Sequence, residues 1–388
     1  MTENRTITHT LNAWEKSIFG VRFIRLPSLF PGLMAVGLLT LLSIWLSDFV
    51  GEGLLGFEKS PLSPVMIAIL LGLSIGSVKP LPKAFAPGLT FAVKKLLKLG
   101  IILLGIRLTI FDVFRLGIFG VPVVALCILG ALLITSLINK KLNLSPRLGA
   151  LIAVGTSICG VTAIVATSPA IDADEEESAY AVTVITIFGL FATLVYPYLT
   201  ELIFDGHALK VGLFLGTAIH DTSQVVGAAK IYADMFAQTL ALDVATIAKL
   251  VRNVFMALVI PFLTYLYARQ TNDDSQTQEN KILNLLPTFI LGFLGLAVLR
   301  SIGDAGLNAG SQAFGLWSES TWSAIITGIK SGAEILLVVA LAGVGLGTNF
   351  RSFKALGIKP FLVGLSASLS VGVVSFLAIT LLGGLVAF

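Results

Sequence analysis

Eleven apolar stretches, separated by short polar or charged connections, run the length of this 388-residue chain. They cover residues 27–47, 62–78, 89–112, 118–138, 148–171, 179–199, 208–235, 245–267, 282–300, 323–347 and 360–386. Runs of about 18 or more apolar residues are long enough to cross a hydrocarbon core as helices. The pattern therefore predicts an all-α polytopic membrane protein. Two of the stretches, 148–171 and 208–235, are interrupted by small and hydroxyl residues: GTSICG at 155–160 and GTAIHD at 216–221. If both stretches cross fully, the chain has eleven transmembrane segments. If both re-enter as hairpins with the Gly-Thr motif at the tip, it has nine.

The most polar stretch, TNDDSQTQEN at 271–280, reads as a solvated loop. It divides one integral membrane domain into a cytoplasmic N-terminal segment 1–26, a first helical bundle 27–270 with both motifs, a polar loop 271–281 and a C-terminal bundle 282–388. The acidic run DADEEES at 172–178 is expected to be a solvated turn.

Composition narrows the class further. The chain is 56% apolar and 12% charged, against roughly 25% charge in soluble domains. A soluble protein of this size could not hide so much apolar surface. The net charge of +4 does not point to nucleic acid, because the basic residues gather in short connections, as membrane topology requires. Lys79 and Lys83, then Lys140, Lys141 and Arg147, then Arg351, Lys354 and Lys359 alternate with the acidic loop 48–60. That alternation places the N-terminus in the cytoplasm. Residues 1–25 hold Arg5, Lys16, Arg22 and Arg25 and no signal-peptide core. Cys127 and Cys159 are too few for a disulfide framework or a zinc site, and no cofactor is expected.

The two motifs align without gaps. In GTSICGVTAIVA and GTAIHDTSQVVG, Gly155, Thr156, Ile158 and Val165 match Gly216, Thr217, Ile219 and Val226. Downstream, Phe191, Leu194, Val195, Pro197 and Leu199 match Phe255, Leu258, Val259, Pro261 and Leu263. A weaker echo sets Gly105 and Leu116–Ile118 opposite Gly345 and Leu356–Ile358. Together they suggest an internal pseudo-repeat, the build of many secondary transporters, which bind substrate where interrupted helices meet.

A helix break inside a membrane frees backbone groups that must be satisfied by protein or by a water-filled cavity. Gly155, Gly160 and Gly216 ease such a break. Thr156, Ser157 and Thr217 offer hydroxyls, with Cys159 beside them, and each half-helix start turns its positive dipole end toward the break. His220 and Asp221, with Gln224 one turn on, add ionisable chemistry at membrane depth, including a candidate proton link. Lys249 and Arg252 stand at i and i+3, on one helix face, where the first half has Ile185 and Phe188. They are expected to present positive charge to an anion. Arg107 is expected to find ordinary pairing or solvation near Asp112, and Glu334 to pair with Lys330 one turn before it.

At these residues the chain resembles a known family. GTSICGVTAIVA, EEESAYAV, GTAIHDTSQVVGAA and AKLVRN are similar to the signature regions of the YeiH-like sulfate exporter family of bacterial inner-membrane proteins. The resemblance runs from about 30 to 385. That family is grouped with the bile acid, arsenite and riboflavin transporter superfamily, whose members have inverted repeats and crossed, broken helices. The resemblance implies a secondary transporter or exporter of sulfate, sulfite or a small organosulfonate.

The leading expectation is therefore a multi-pass inner-membrane transporter of a small oxyanion, working by alternating access in the lipid bilayer. It has no nucleotide-binding loop of its own. The alternative is a proton- or Na⁺-coupled carboxylate transporter, or a Na⁺/H⁺ exchanger, using Asp221 and His220. A membrane enzyme using a Cys159–His220 pair is the third and weakest alternative, and the chain is expected not to be an enzyme. A homo-oligomer is compatible with the sequence.

Overall fold

The computed structural model describes residues 23–50, 63–78, 81–271, 288–308, 312–348 and 358–382. Most of the N-terminal segment 1–26, most of the acidic loop 48–60, the polar loop from 272 to 281, and Lys79, Arg351 and Lys354 lie outside the described residues. The described residues are helical and connected by short turns, and the protein is an all-α polytopic membrane protein. Its long helices are α1 (Phe30–Asp48), α5 (Ile110–Lys141), α8 (Glu175–Phe204), α13 (Thr288–Asn308), α14 (Glu319–Gly347) and α15 (Ile358–Leu382). With the segment Thr239–Leu263, they supply, among the described residues, seven stretches long and apolar enough to cross a membrane. α1 leaves Phe30, Leu38, Leu41 and Trp45 exposed, an apolar face suited to lipid.

The remaining helices are shorter. α2 is Pro64–Val78. The predicted stretch 89–112 divides into α3 (Ala86–Phe91), a π-helical turn at Ala92–Leu96, α4 (Leu97–Leu104) and a 3-10 turn at Gly105–Arg107. α5 begins before the predicted residue 118 because Thr109 caps it: the Thr109 hydroxyl accepts from the Asp112 amide, and Asp112 Oδ2 accepts from the Thr109 amide. Such a reciprocal box satisfies orphan donors of the first turn. The acidic run 172–178 is also partly helical. Asp174 and Glu177 form a second capping box, so their carboxylates stand at the positive end of the α8 dipole.

The two interrupted stretches are each two half-helices. α6 (Pro146–Ser157) is followed by α7 (Val161–Thr167), which tightens into a 3-10 turn at Ser168–Ile171. α9 (Ala208–Ala218) is followed by α10 (Thr222–Phe236). At 1.5 Å per residue, none of the four reaches the roughly 30 Å of a hydrocarbon core alone. α11 (Thr239–Val254) and α12 (Met256–Thr271) complete the set.

Packing gathers helices from both ends of the chain. α14 lies against α1, α2 and α4, and α13 lies against α4. α15 lies against α5, α6, α8 and α9, while α11 packs on α5, α9 and α10. The four half-helices belong to this second group, which α10 links to α2 and α14.

Candidate functional site

Both breaks open their C-terminal carbonyls onto the same face of α11. An α-helix ends with carbonyls that have no intrahelical partner, and here those ends are buried. Lys249 Nζ donates to Ile158 O at 2.8 Å, to Ile219 O at 3.2 Å and to His220 O. Arg252 Nε donates to Ser157 O at 2.6 Å. Its Nη1 donates to Thr217 O and Ile219 O, both at 2.8 Å, and its Nη2 to Thr156 O. Both side chains are fully buried. The spacing i, i+3 puts the ammonium and guanidinium one turn apart on one helix face, so each reaches the end of α6 and the end of α9. Positive charge beside two helix C-termini is electrostatically favourable, and the donors replace the water that a break in a membrane lacks.

This geometry changes the expected role of the pair. Their donors are turned onto backbone carbonyls, so Lys249 and Arg252 act as the staple that holds the two breaks together. The sequence placed the charge but not its target, because the carbonyl acceptors lie 29 to 96 residues away in the chain.

The N-terminal sides of the breaks carry the opposite sign. Gly160, with φ +70°, turns the chain into α7. A Cβ there would stand 3.1 Å from both Cβ and Oδ2 of Asp221. The Asp221 carboxylate thus lies against the start of α7 and also caps α10, Oδ1 accepting from the Ser223 amide at 2.8 Å and its hydroxyl at 2.5 Å. Gln224 completes the cap, accepting from the Asp221 amide and donating to Thr186 O at 2.9 Å. Asp221 is partly exposed, and its carboxylate also accepts from the Gln224 amide.

The other predicted residues have separate surroundings. Gly216 permits close contact of α9 with α11: a Cβ there would meet the Ala248 Cβ at 2.7 Å and the Ala245 carbonyl at 2.8 Å. Gly155 lies under Ile164, 2.8 Å from where a Cβ would be. The Thr217 hydroxyl donates to Leu213 O at 2.6 Å and lies 2.5 Å from the Ser375 hydroxyl of α15. The Ser157 hydroxyl turns back to Val154 O at 3.4 Å. Thr156 is buried, and its hydroxyl finds no partner among the described residues. His220 does not pair with Asp221: its Nε2 meets the Ser368 hydroxyl of α15 at 3.1 Å. Cys159 donates to the Met256 sulfur at 3.6 Å, so the two residues of the conceivable nucleophilic pair have different neighbours. Both cysteines are buried free thiols.

A second polar cluster lies between the two helix groups. Arg107 Nε binds Asp243 Oδ1 at 2.6 Å, and its Nη1 lies 3.5 Å from Glu334 Oε1. Lys230 pairs with Asp234 one turn on and stands 3.3 Å from Glu334 Oε2. Asp234 accepts the Ser63 hydroxyl at 2.7 Å. The expected neighbours are thus replaced: Asp112 is committed to its cap, and Glu334 joins Arg107 and Lys230. Sequence reasoning passed over Lys230, Asp234 and Asp243. The i, i+4 pairing of Lys230 with Asp234 in an apolar helix was a readable signal, but Asp243 is 136 residues from Arg107.

Comparison with known proteins narrows the resemblance. A family model described as Conserved hypothetical protein 698 matches residues 31–364. A UPF0324 membrane protein of Streptococcus pneumoniae serotype 4 is 34% identical over 336 residues, covering 86% of this chain and 91% of the relative. Another, of Corynebacterium glutamicum, is 31% identical over 342 residues, covering 87% and 88%. These names state a membrane location and no substrate, so the sulfate exporter label has no support in them. Among solved structures, the sodium proton antiporter MjNhaP1 from Methanocaldococcus jannaschii matches 92% of this chain and all of that one at 16% identity. Its TM-score of 0.27 carries no argument. The extent of the family match and the identity to these relatives establish that the chain belongs to the UPF0324 membrane proteins, the family of Conserved hypothetical protein 698.

Proposed function

We propose that this chain is a secondary transporter of a small oxyanion such as sulfate, sulfite or an organosulfonate, with substrate passing near the helix breaks. One observation carries the reading: two broken helices meet inside the membrane body, cations closing their C-terminal ends and a partly exposed carboxylate standing at their N-terminal ends. Irregular backbone at membrane depth is retained where it lines a substrate or ion path. The matching motifs support an inverted repeat, and the loop charges support a cytoplasmic N-terminus in a bacterial inner membrane. Movement is alternating access, with the group of α1, α2, α4, α13 and α14 shifting against the group holding the breaks. The test is uptake of labelled sulfate, sulfite and methanesulfonate into proteoliposomes, with and without a pH gradient. Accumulation of an oxyanion is the expected result. Failure of all three, together with movement of Na⁺ or a carboxylate, would favour the coupled-cation reading instead.

One feature supports ion coupling within either reading. Asp221 is partly exposed and stands beside the start of α7, where a proton or Na⁺ can reach it. Asp221→Asn should preserve the α10 cap, since asparagine caps about as well as aspartate. We expect the variant to fold with wild-type thermal stability and to lose the dependence of uptake on the pH or Na⁺ gradient. Gradient-driven uptake at wild-type level in that variant would remove Asp221 from the coupling path.

A further inference from the structure

Glu334 is placed as an anion held between two cations that belong to other helices. Its two carboxylate oxygens divide the work: Oε1 faces the Arg107 guanidinium at 3.5 Å and Oε2 faces the Lys230 ammonium at 3.3 Å. Both contacts are long for charge-assisted hydrogen bonds. Each cation has a closer partner elsewhere, Arg107 with Asp243 at 2.6 Å and Lys230 with Asp234. The cations are nearly buried, with 8% and 12% of their side chains exposed, while Glu334 is 37% exposed. Of the three groups, the carboxylate is thus the one held loosely and open to its surroundings.

The approach to this cluster is polar. A cavity of about 360 Å³, lined by Arg300, Asp304, Trp322, Ser323, Thr327 and Lys330 among others, lies along α13 and α14. Lys330, which lines the cavity, is one helical turn before Glu334 on α14. Exposed hydroxyls and charges within a membrane span belong against water or protein, not against lipid.

We propose that Arg107 and Lys230 form an oxyanion-binding subsite, which Glu334 occupies as a built-in substitute anion in the conformation described. This rests on the anion-transport reading and names a place on the path. An oxyanion reaching the cluster from the cavity replaces the two carboxylate oxygens with two of its own, leaving Arg107–Asp243 and Lys230–Asp234 intact. Displacement frees α14 from Lys230 of α10 and from the Arg107 turn, so substrate arrival loosens the contact of α14 with α10. Return of Glu334 resets the contact once the anion has left. No proton or covalent step is required.

The experiment is equilibrium binding of radiolabelled sulfate, sulfite and methanesulfonate to the purified full chain in detergent. Glu334→Gln removes the competing charge and keeps the side-chain volume. A site mostly filled by its own carboxylate binds with affinity reduced by the fraction left free, so this variant should bind at least one of the probes about tenfold more tightly. Lys230→Gln should weaken the same probe by about tenfold or more, and Lys230→Arg should retain it, since a guanidinium keeps the charge. A merely structural ion pair predicts weaker or unchanged binding in Glu334→Gln, and either result overturns the proposal even if Lys230→Gln fails to fold. Absence of binding in both wild type and Glu334→Gln also overturns it. The broader reading fails separately, by absence of oxyanion uptake in wild-type proteoliposomes.

Discussion

Replacing Arg252 with methionine is expected to abolish accumulation of folded protein. The guanidinium closes carbonyls at the ends of both broken helices, and methionine offers none of those donors while filling a similar volume. A hydrogen bond to a charged group contributes about 1.5–3 kcal/mol, and a buried acceptor left bare costs its full desolvation. Four such contacts end on this one side chain. Their loss amounts to at least about 4 kcal/mol, comparable with the whole stability of many domains. Fluorescence-detected size-exclusion of a tagged variant should show aggregate or no protein. Arg252→Lys should recover part of the population, because an ammonium keeps the charge but cannot fork to four separate carbonyl contacts. A monodisperse methionine variant with wild-type melting temperature would show that the breaks hold without the staple.

Gly160→Ala should have the next largest effect. The backbone at Gly160, φ 70° and ψ −126°, lies where a residue with a side chain is strained. Such strain costs on the order of 1–3 kcal/mol. The new methyl would also press on Asp221 at 3.1 Å, moving the carboxylate that caps α10 and borders α7. We expect a lowered melting temperature and, in whatever protein folds, a disproportionate loss of gradient-driven uptake. Gly216→Ala offers the comparison: its methyl would meet Ala248 and the Ala245 backbone instead. It should loosen α9 from α11 with no direct effect on Asp221. Equal effects of the two substitutions on coupling, at matched stability, would argue against a special place for the Gly160–Asp221 contact.

Much of the fold was legible because hydrophobicity acts locally. The apolar runs mark where helices lie, since a membrane helix must satisfy its own backbone and cover itself with apolar side chains. Helix ends were less legible. Thr109, Asp112, Asp174 and Glu177 are polar residues at polar boundaries, and only their reciprocal bonds show that they start helices rather than extend loops. The two Gly-Thr motifs announced interruptions, and the structure has a break at each.

The sequence by itself determined the class of protein, the positions of its apolar helices, the two breaks and the presence of Lys249, Arg252, His220 and Asp221 at membrane depth. Only the tertiary structure decided what those charges face. Lys249 and Arg252 meet helix-end carbonyls, His220 meets Ser368, Asp221 meets Ser223 and the start of α7, and Glu334 meets Arg107 and Lys230. The physical reason is range. Helix formation and burial follow from neighbours a few positions apart, whereas a buried charge takes whichever oxygen or opposite charge folding brings within about 3 Å, and no spacing along the chain encodes that partner.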